Sequence, residues 1–166
     1  RLENSAYFDS TESGDYIDLG YNFRMPSMAA ALGISQLHKA DKIAEWRREK
    51  ASYMRARLSD IEEIEVFKEP EGDFHVYQMF TIRVMGGRSR RDALMSYLMS
   101  EGIMTKVYFP PVHLTKFYKP LGFNEGDLPR TEEISSQVLS LPIFPSLTEE
   151  RMDYIVEKIQ EFFEAE

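Results

Sequence analysis

The sequence contains no cysteine among its 166 residues. Disulfide bonds and thiolate metal sites are therefore excluded, which fits a reducing compartment. Basic residues are also in the minority, because 20 Lys and Arg stand against 28 Asp and Glu and give a formal net charge of −8. A surface of this sign repels phosphate backbones and anionic membranes, so we expect neither nucleic acid nor a membrane as a partner.

Long apolar segments are missing as well. No run approaches the roughly 20 residues that span a bilayer, and the N-terminus lacks the basic-then-apolar order of a signal peptide. These absences predict a cytoplasmic protein. With three histidines and no cysteine, no set of ligands stands at metal spacing, so we predict no metal site. The carboxylates are scattered and suggest no acid and base pair.

What is present is a globular composition, with 43% hydrophobic and 13% aromatic residues. Residues 1–25 show no periodicity and are interpreted as an irregular arm. From Ser27, a plausible N-cap, to about Ser59 there is no proline, and small or apolar residues recur at steps of three and four. This pattern predicts one long helix over 26–59, about 45 Å if unbroken. Its small-residue face over 29–44 suits close packing by another domain or subunit.

The remaining residues, 60–166, read as a small α/β domain. Branched and aromatic residues predict strands over 64–67, 76–84 and 105–108, with a further extended piece over 141–143. Helices are predicted over 89–102, where Ser89 and Asp92 resemble a capping box, over 131–139, and after Thr148. A loop rich in proline and aromatic residues covers 109–130. The predicted fold class is α/β (α+β), a long N-terminal helix followed by a small sheet of about three to four strands packed on helices.

Several short motifs follow one another in the chain. They are Gly20-Tyr21-Asn22-Phe23-Arg24-Met25, the alanine-rich 29–33 with Gln36-Leu37, Gly102-Ile103-Met104-Thr105, the loop 108–113, and the Leu-Ser-Leu-Pro signature within 138–145. In this order they resemble the DegT/DnrJ-type sugar aminotransferases, which are fold-type-I enzymes that use pyridoxal 5'-phosphate (PLP). The resemblance covers nearly the whole chain.

The resemblance implies a homodimeric PLP enzyme that aminates a nucleotide-linked keto sugar, with glutamate or glutamine as the amino donor. In the family, the lysine that holds the cofactor precedes the Gly-Tyr-Asn motif, and no lysine stands among the nineteen residues before Gly20. We therefore expect the C-terminal small domain of such an enzyme, without the large domain, with no catalytic residue of its own and inactive alone. PLP is expected to belong to the parent protein rather than to this chain alone.

The resemblance also suggests site residues. Asn22 would reach the PLP phosphate across the dimer, or else hydrogen-bond its own backbone at a turn. Tyr21 would stack or hydrogen-bond near the cofactor, or else pack at the entrance to the helix. Arg24 would bind substrate through its planar guanidinium, or else form a surface ion pair. Tyr108 and His113 would contact the sugar or diphosphate, although a structural histidine explains His113 equally well.

Other interpretations stay open at this point. Some relatives carry histidine in place of the cofactor lysine and dehydrate the sugar. A non-catalytic α/β interaction or ligand-binding module belongs to another class again. The basic cluster of Arg88, Arg90 and Arg91 is read as exposed turn residues, with a diphosphate contact as the alternative. The sequence does not identify the sugar nucleotide, the carbon that is aminated, or the donor.

Overall fold

The computed structural model describes residues 23–165, and these divide into two compact units at Asp41 and Lys42. In the first unit, helix α1 runs over Ser27–Leu37 and begins with the amide of Ala30 donating to the carbonyl of Pro26 at 3.0 Å. No residue of α1 is buried, and Met28 is 85% exposed.

The helical segment predicted over 26–59 consists of two helices. After α1 the amide of Lys39 donates to the carbonyl of Gln36 at 2.9 Å, a tighter step than the α-helical one, and α2 begins at Ala40. No glycine or proline marks this interruption, so the periodic pattern runs through it without a signal. Helix α2 covers Ala40–Leu58.

The second unit includes most of α2, which differs from the predicted boundary at residue 60. The physical reason is the apolar face of α2, because Ala51, Met54 and Leu58 have no exposed surface and belong to the same hydrophobic core as the sheet. A helix whose apolar face is buried in a hydrophobic core belongs to the domain that contains this core.

The sheet has three antiparallel strands in the order β1-β2-β3. These are β1 (Ile64–Val66), β2 (Phe80–Val84) and β3 (Val138–Leu141). In register, Ile82 of β2 faces Val66 on one side and Leu139 on the other. Alternate residues of β2 are buried, as expected of a strand with one face on the core.

Three further helices complete the unit: α3 (Arg88–Ser100), α4 (Pro129–Gln137) and α5 (Glu149–Glu164). The Thr148 hydroxyl caps α5 by accepting from the amide of Arg151 at 3.4 Å, as its position predicts. The predicted capping box at Ser89 does not form, since the residue before α3 is Gly87 and no side chain caps it. Helices packed on a small antiparallel sheet confirm the predicted fold class.

Three segments differ from their predicted conformations. Residues 138 and 139, predicted at the end of a helix, belong to β3, because α4 ends at Gln137. Strand β2 begins at Phe80 rather than at 76, and the predicted strand over 105–108 contributes a single bridge, between Lys106 and Ser140. Within residues 23–165, none of the helices has the length and apolarity needed to cross a membrane.

Candidate functional site

The predicted cofactor residues cannot be placed, because Asn22 and Tyr21 lie outside the described residues. Arg24 is described; it is exposed in the irregular stretch before α1 and belongs to the first unit. The roles predicted for these three residues therefore stay predictions.

Tyr108 lies at the end of an extended segment that follows α3. Along it, Ile103 and Thr105 are buried, whereas the intervening Met104 and Lys106 are exposed, as is Tyr108. This alternation is that of a strand with one face on the core. The backbone is held to β3, because the amide of Lys106 donates to the Ser140 carbonyl at 3.1 Å and the amide of Ser140 donates back at 2.7 Å.

The exposed face of this segment lines a cleft of about 190 Å³. Tyr108 is 36% exposed there, and the Lys106 ammonium lies 5.9 Å from the centre of its ring. Ser140 on the floor of the cleft shares a 2.8 Å hydrogen bond with the Thr81 hydroxyl. The cleft thus offers one phenol and one cation beside a hydrogen-bonded pair of hydroxyls, a set able to bind a polar, anionic ligand.

His113 has a different environment from Tyr108. It lies in the 3-10 turn Val112–Leu114, is 6% exposed, and its Nε2 is 3.0 Å from Glu132 Oε1 at the start of α4. Glu132 is thus a structural partner of His113, as the alternative interpretation of a structural histidine requires. A contact between His113 and substrate stays a prediction.

Glu132 fixes the loop that contains His113. Its carboxylate also accepts from the amides of Gly126, at 2.9 and 3.0 Å, and Leu128, at 3.3 Å. The hydrogen bond with His113, followed by the one from Gly126, lowers the pKa of Glu132 below its usual value. The loop over 109–128 is therefore tied to α4 by an ionised carboxylate at physiological pH.

Helix α4 is in turn fastened to the sheet and to α3. The Ser135 hydroxyl donates to the carbonyl of Phe109 at 2.8 Å, next to Tyr108. Arg83 of β2 forms a 2.7 Å ion pair with Glu133. Arg91 of α3 donates to the Val138 carbonyl at 2.9 Å just beyond the end of α4.

Arg91 was expected among exposed turn residues, and this expectation is wrong. The residue is 5% exposed, and its guanidinium occupies the C-terminal end of α4, where carbonyls lack helical partners. Sequence spacing gave no signal for this, because the partner carbonyls lie 44 and 47 residues away.

A larger cleft, of about 400 Å³, was not anticipated from the sequence. It is lined by residues 67–70, at the end of β1, and by residues 75–81, which lead into β2. Pro70 and Gly72 had indicated only the turn between these stretches.

The described residues do not by themselves fit PLP. The cofactor requires an amine that loses its proton to react, and such lysines are usually buried with a lowered pKa. Within the described range no lysine is buried, and Lys158 is paired at 2.7 Å with Glu161, whose hydrogen bond raises the pKa of the ammonium. The other lysines are Lys39, Lys42, Lys50, Lys68, Lys106, Lys116 and Lys119. No group of three or more metal-ligating side chains occurs in residues 23–165 either.

Comparison with known proteins identifies the family of this chain. The model of the DegT/DnrJ/EryC1/StrS aminotransferase family matches residues 3–160. The chain belongs to this family. Structures of the same fold have been solved in PLP and PMP forms.

The chain is also similar to individual proteins. The chain is 40% identical over 148 residues to a pleiotropic regulatory protein from Geobacillus stearothermophilus, and the aligned residues cover 87% of this chain and 39% of that protein. It is 33% identical over 145 residues to GDP-perosamine synthase from Escherichia coli O157:H7, with 87% and 38% covered. The structure of S. venezuelae DesV is 31% identical with a TM-score of 0.81, covering 95% of this chain and 42% of DesV. The chain thus spans about two fifths of the length of these relatives.

Proposed function

We propose that this chain forms the C-terminal part of a PLP-dependent aminotransferase that transfers an amino group to a nucleotide-linked keto sugar. The observation that carries the proposal is the family match over residues 3–160. The likeness to a GDP-perosamine synthase supports a nucleotide-linked sugar as substrate. Glutamate or glutamine is the proposed donor, and a cytoplasmic location is part of the same proposal.

In this proposal the cleft of about 190 Å³ that Tyr108 lines contributes to substrate binding. The phenol hydroxyl of Tyr108 can donate to or accept from a sugar hydroxyl, and the loop behind it is held in place by Ser135 through Phe109. Arg24 would bind an anionic group of the substrate, His113 would contact its sugar or diphosphate, and Asn22 and Tyr21 would hold the cofactor. These roles follow the family resemblance.

The amine that forms the Schiff base with PLP is proposed to lie outside these 166 residues, on the large domain. This proposal is supported by the surroundings of the lysines, none of which is buried in the described range. On this basis the 166-residue chain alone has no transaminase activity.

A homodimer is also part of the proposal. Helix α1 exposes Met28, Leu32 and Leu37 at 85%, 63% and 73%, and apolar surface of this kind is characteristic of an interface. A second subunit or the large domain would cover it.

The decisive experiment uses the full-length polypeptide that carries this chain, supplied with PLP. It is incubated with isotope-labelled glutamate or glutamine and with keto sugars linked to GDP, UDP or dTDP, and the products are analysed by mass spectrometry. We expect the labelled nitrogen in an amino sugar nucleotide. Loss of water without nitrogen transfer would indicate the dehydratase, and an unchanged substrate throughout would favour a non-catalytic module.

A matched experiment tests the position of the amine. The isolated chain is mixed with PLP and reduced with borohydride, and adducts are mapped by peptide mass spectrometry. We expect only weak, distributed labelling of surface lysines. A stoichiometric adduct on one of the eight lysines of this chain would contradict the proposal.

A further inference from the structure

The position of the Tyr108 ring follows the backbone that carries it. The ring centre lies 5.3 Å from that of Phe109 and 5.9 Å from the Lys106 ammonium. Both neighbours belong to the same extended segment as Tyr108. The place of the phenol at its cleft therefore depends on what holds residues 106–109.

Helix α4 holds this segment and the loop after it at two points. The Ser135 hydroxyl donates to the Phe109 carbonyl at 2.8 Å, directly after Tyr108. Three residues earlier on α4, Glu132 Oε1 lies 3.0 Å from Nε2 of His113. Positions three apart lie on the same face of a helix, so one face of α4 makes both attachments.

The chain between the two attachments is short and stiff. Pro110 and Pro111 follow Phe109 directly, and each proline ring fixes φ at about −65° and restricts the residue before it. A shift of His113 is therefore passed back along the chain to Phe109 and Tyr108 instead of being absorbed between them.

Glu132 also closes the loop that begins at His113. Its carboxylate accepts from the amides of Gly126, at 2.9 and 3.0 Å, and Leu128, at 3.3 Å, so the start and the end of the loop meet at one side chain. Hydrogen bonds to an ionised acceptor are roughly twice as strong as neutral ones. The side chains of Glu132 and His113 are only 17% and 6% exposed, which limits competition by water.

Apolar burial contributes little to holding this loop. From Pro111 to Leu128 the only buried residue is His113, and Phe117 and Leu121 are 74% and 66% exposed. Segments with few buried apolar contacts have low local stability and open readily. The carboxylate of Glu132 is thus a principal restraint on the loop.

We propose that Glu132 and Ser135 are positioning residues, which act through residues 109–113 to hold Tyr108 where it contacts the sugar. The inference rests on the proposed function, because it explains how the proposed sugar contact is kept in place. Glu132 and Ser135 do not contact the substrate in this role, since their polar atoms already bond to the loop.

The test is steady-state kinetics of the full-length polypeptide with PLP, with the amino-donor and keto-sugar half-reactions measured separately below the melting temperature of every variant. Glu132→Gln keeps the size of the side chain but presents an NH2 group to donors that the carboxylate accepts from. Ser135→Ala removes a single hydrogen bond. Glu125→Gln is the control, because Glu125 is exposed in the same loop. Each variant is also combined with Tyr108→Phe, which removes only the phenol hydroxyl.

We expect Tyr108→Phe to raise the KM for the keto sugar about tenfold, the effect of one lost hydrogen bond, and to leave the KM for the amino donor unchanged. Glu132→Gln should raise the same KM by a similar factor, and Ser135→Ala by a smaller one. Neither should add to the effect of Tyr108→Phe, because a displaced ring has already lost its contact. Glu125→Gln should behave like the parent protein.

Two kinetic results would overturn the inference. If the role of Glu132 is merely structural, Glu132→Gln impairs both half-reactions to the same extent. If Glu132 acts independently of Tyr108, the effects of Glu132→Gln and Tyr108→Phe on KM multiply. Should Glu132→Gln not fold, Ser135→Ala combined with Tyr108→Phe decides by the same criteria.

Nitration of tyrosines with tetranitromethane, mapped by peptide mass spectrometry, separates this inference from the proposed function because it needs no turnover. Tyr154 on α5 is the internal reference, since it is 40% exposed and Tyr108 is 36% exposed. We expect Tyr108 to react faster in Glu132→Gln and Ser135→Ala than in the parent, with Tyr154 unchanged. This result in a protein without any label transfer supports the hold of α4 on Tyr108 and refutes the aminotransferase. An unchanged rate at Tyr108 in a protein that transfers label overturns the inference alone.

Discussion

Replacing Arg91 by methionine tests whether a buried cation holds the end of α4. Methionine keeps the aliphatic stem of the side chain and removes the guanidinium. In the folded chain that group donates to the Val138 carbonyl at 2.9 Å in a buried environment and to the Ser135 carbonyl at 3.4 Å. It also forms a 2.7 Å ion pair with Asp92, whose side chain is 47% exposed.

The magnitude follows from these contacts. A charged donor on a buried carbonyl contributes about 1.5–3 kcal/mol, and its loss leaves that carbonyl without a partner. The 3.4 Å contact is too long to add much. The pair with Asp92 is screened by water and adds about 0–1 kcal/mol. We therefore expect the free energy of unfolding to fall by about 2–4 kcal/mol.

The assay is urea denaturation followed by circular dichroism, with Arg88→Met as the control. Arg88 is exposed and lies three residues earlier on the same helix, so the same substitution should change the stability by less than about 0.5 kcal/mol. If both variants unfold at the same urea concentration with equal slopes, the guanidinium of Arg91 does not stabilise the end of α4, and our reasoning is refuted.

Three other outcomes follow from the structure. The pKa of Glu132 is lowered in the folded state, so the stabilisation by its carboxylate is present above the unfolded pKa of about 4.3 and is lost as pH falls through the lower folded value. Between about pH 3 and 7, the melting temperature of Glu132→Gln should therefore vary less with pH than that of the exposed control Glu125→Gln. Parallel curves for the two variants would contradict this prediction. Met54→Ala should lower the free energy of unfolding by about 2–5 kcal/mol in the same urea assay, because Met54 is fully buried. Met99→Ala, at a position that is 55% exposed, should lower it little. Equal losses of stability in the two variants would show that α2 does not pack into the core through Met54. The isolated chain should self-associate through α1, and Leu32→Lys should shift its light-scattering mass toward a monomer; a parent chain that is strictly monomeric at high concentration would count against the interface.

Much of the fold was readable from local pattern. The face of α5 repeats at helical spacing, and its Met152, Ile155 and Ile159 are buried as expected. Strand β3 was harder, because Val138 and Leu139 had been assigned to the end of the preceding helix. All four residues of β3 are buried, so the strand has no alternation, and a continuous apolar run does not distinguish a strand from a buried helix.

The site was predictable to a lesser extent. Proline and aromatic residues indicated the loop that holds Tyr108, and the structure places this residue at a cleft beside Lys106. The part played by Glu132 in holding His113 was not predictable, because a carboxylate nineteen residues away shows no pairing pattern in the chain. Asn22 and Tyr21 lie outside the described residues.

The sequence by itself determined the family, the fold class and the positions of most helices, since motifs and periodicity are properties of neighbouring residues. Only the tertiary structure decided which polar groups meet. Arg91 reaches the end of α4, and Arg47 and Arg48 donate to carbonyls of residues 75–78, across separations of 27 to 47 residues. Contacts over such distances depend on how the core packs, and no local pattern records them.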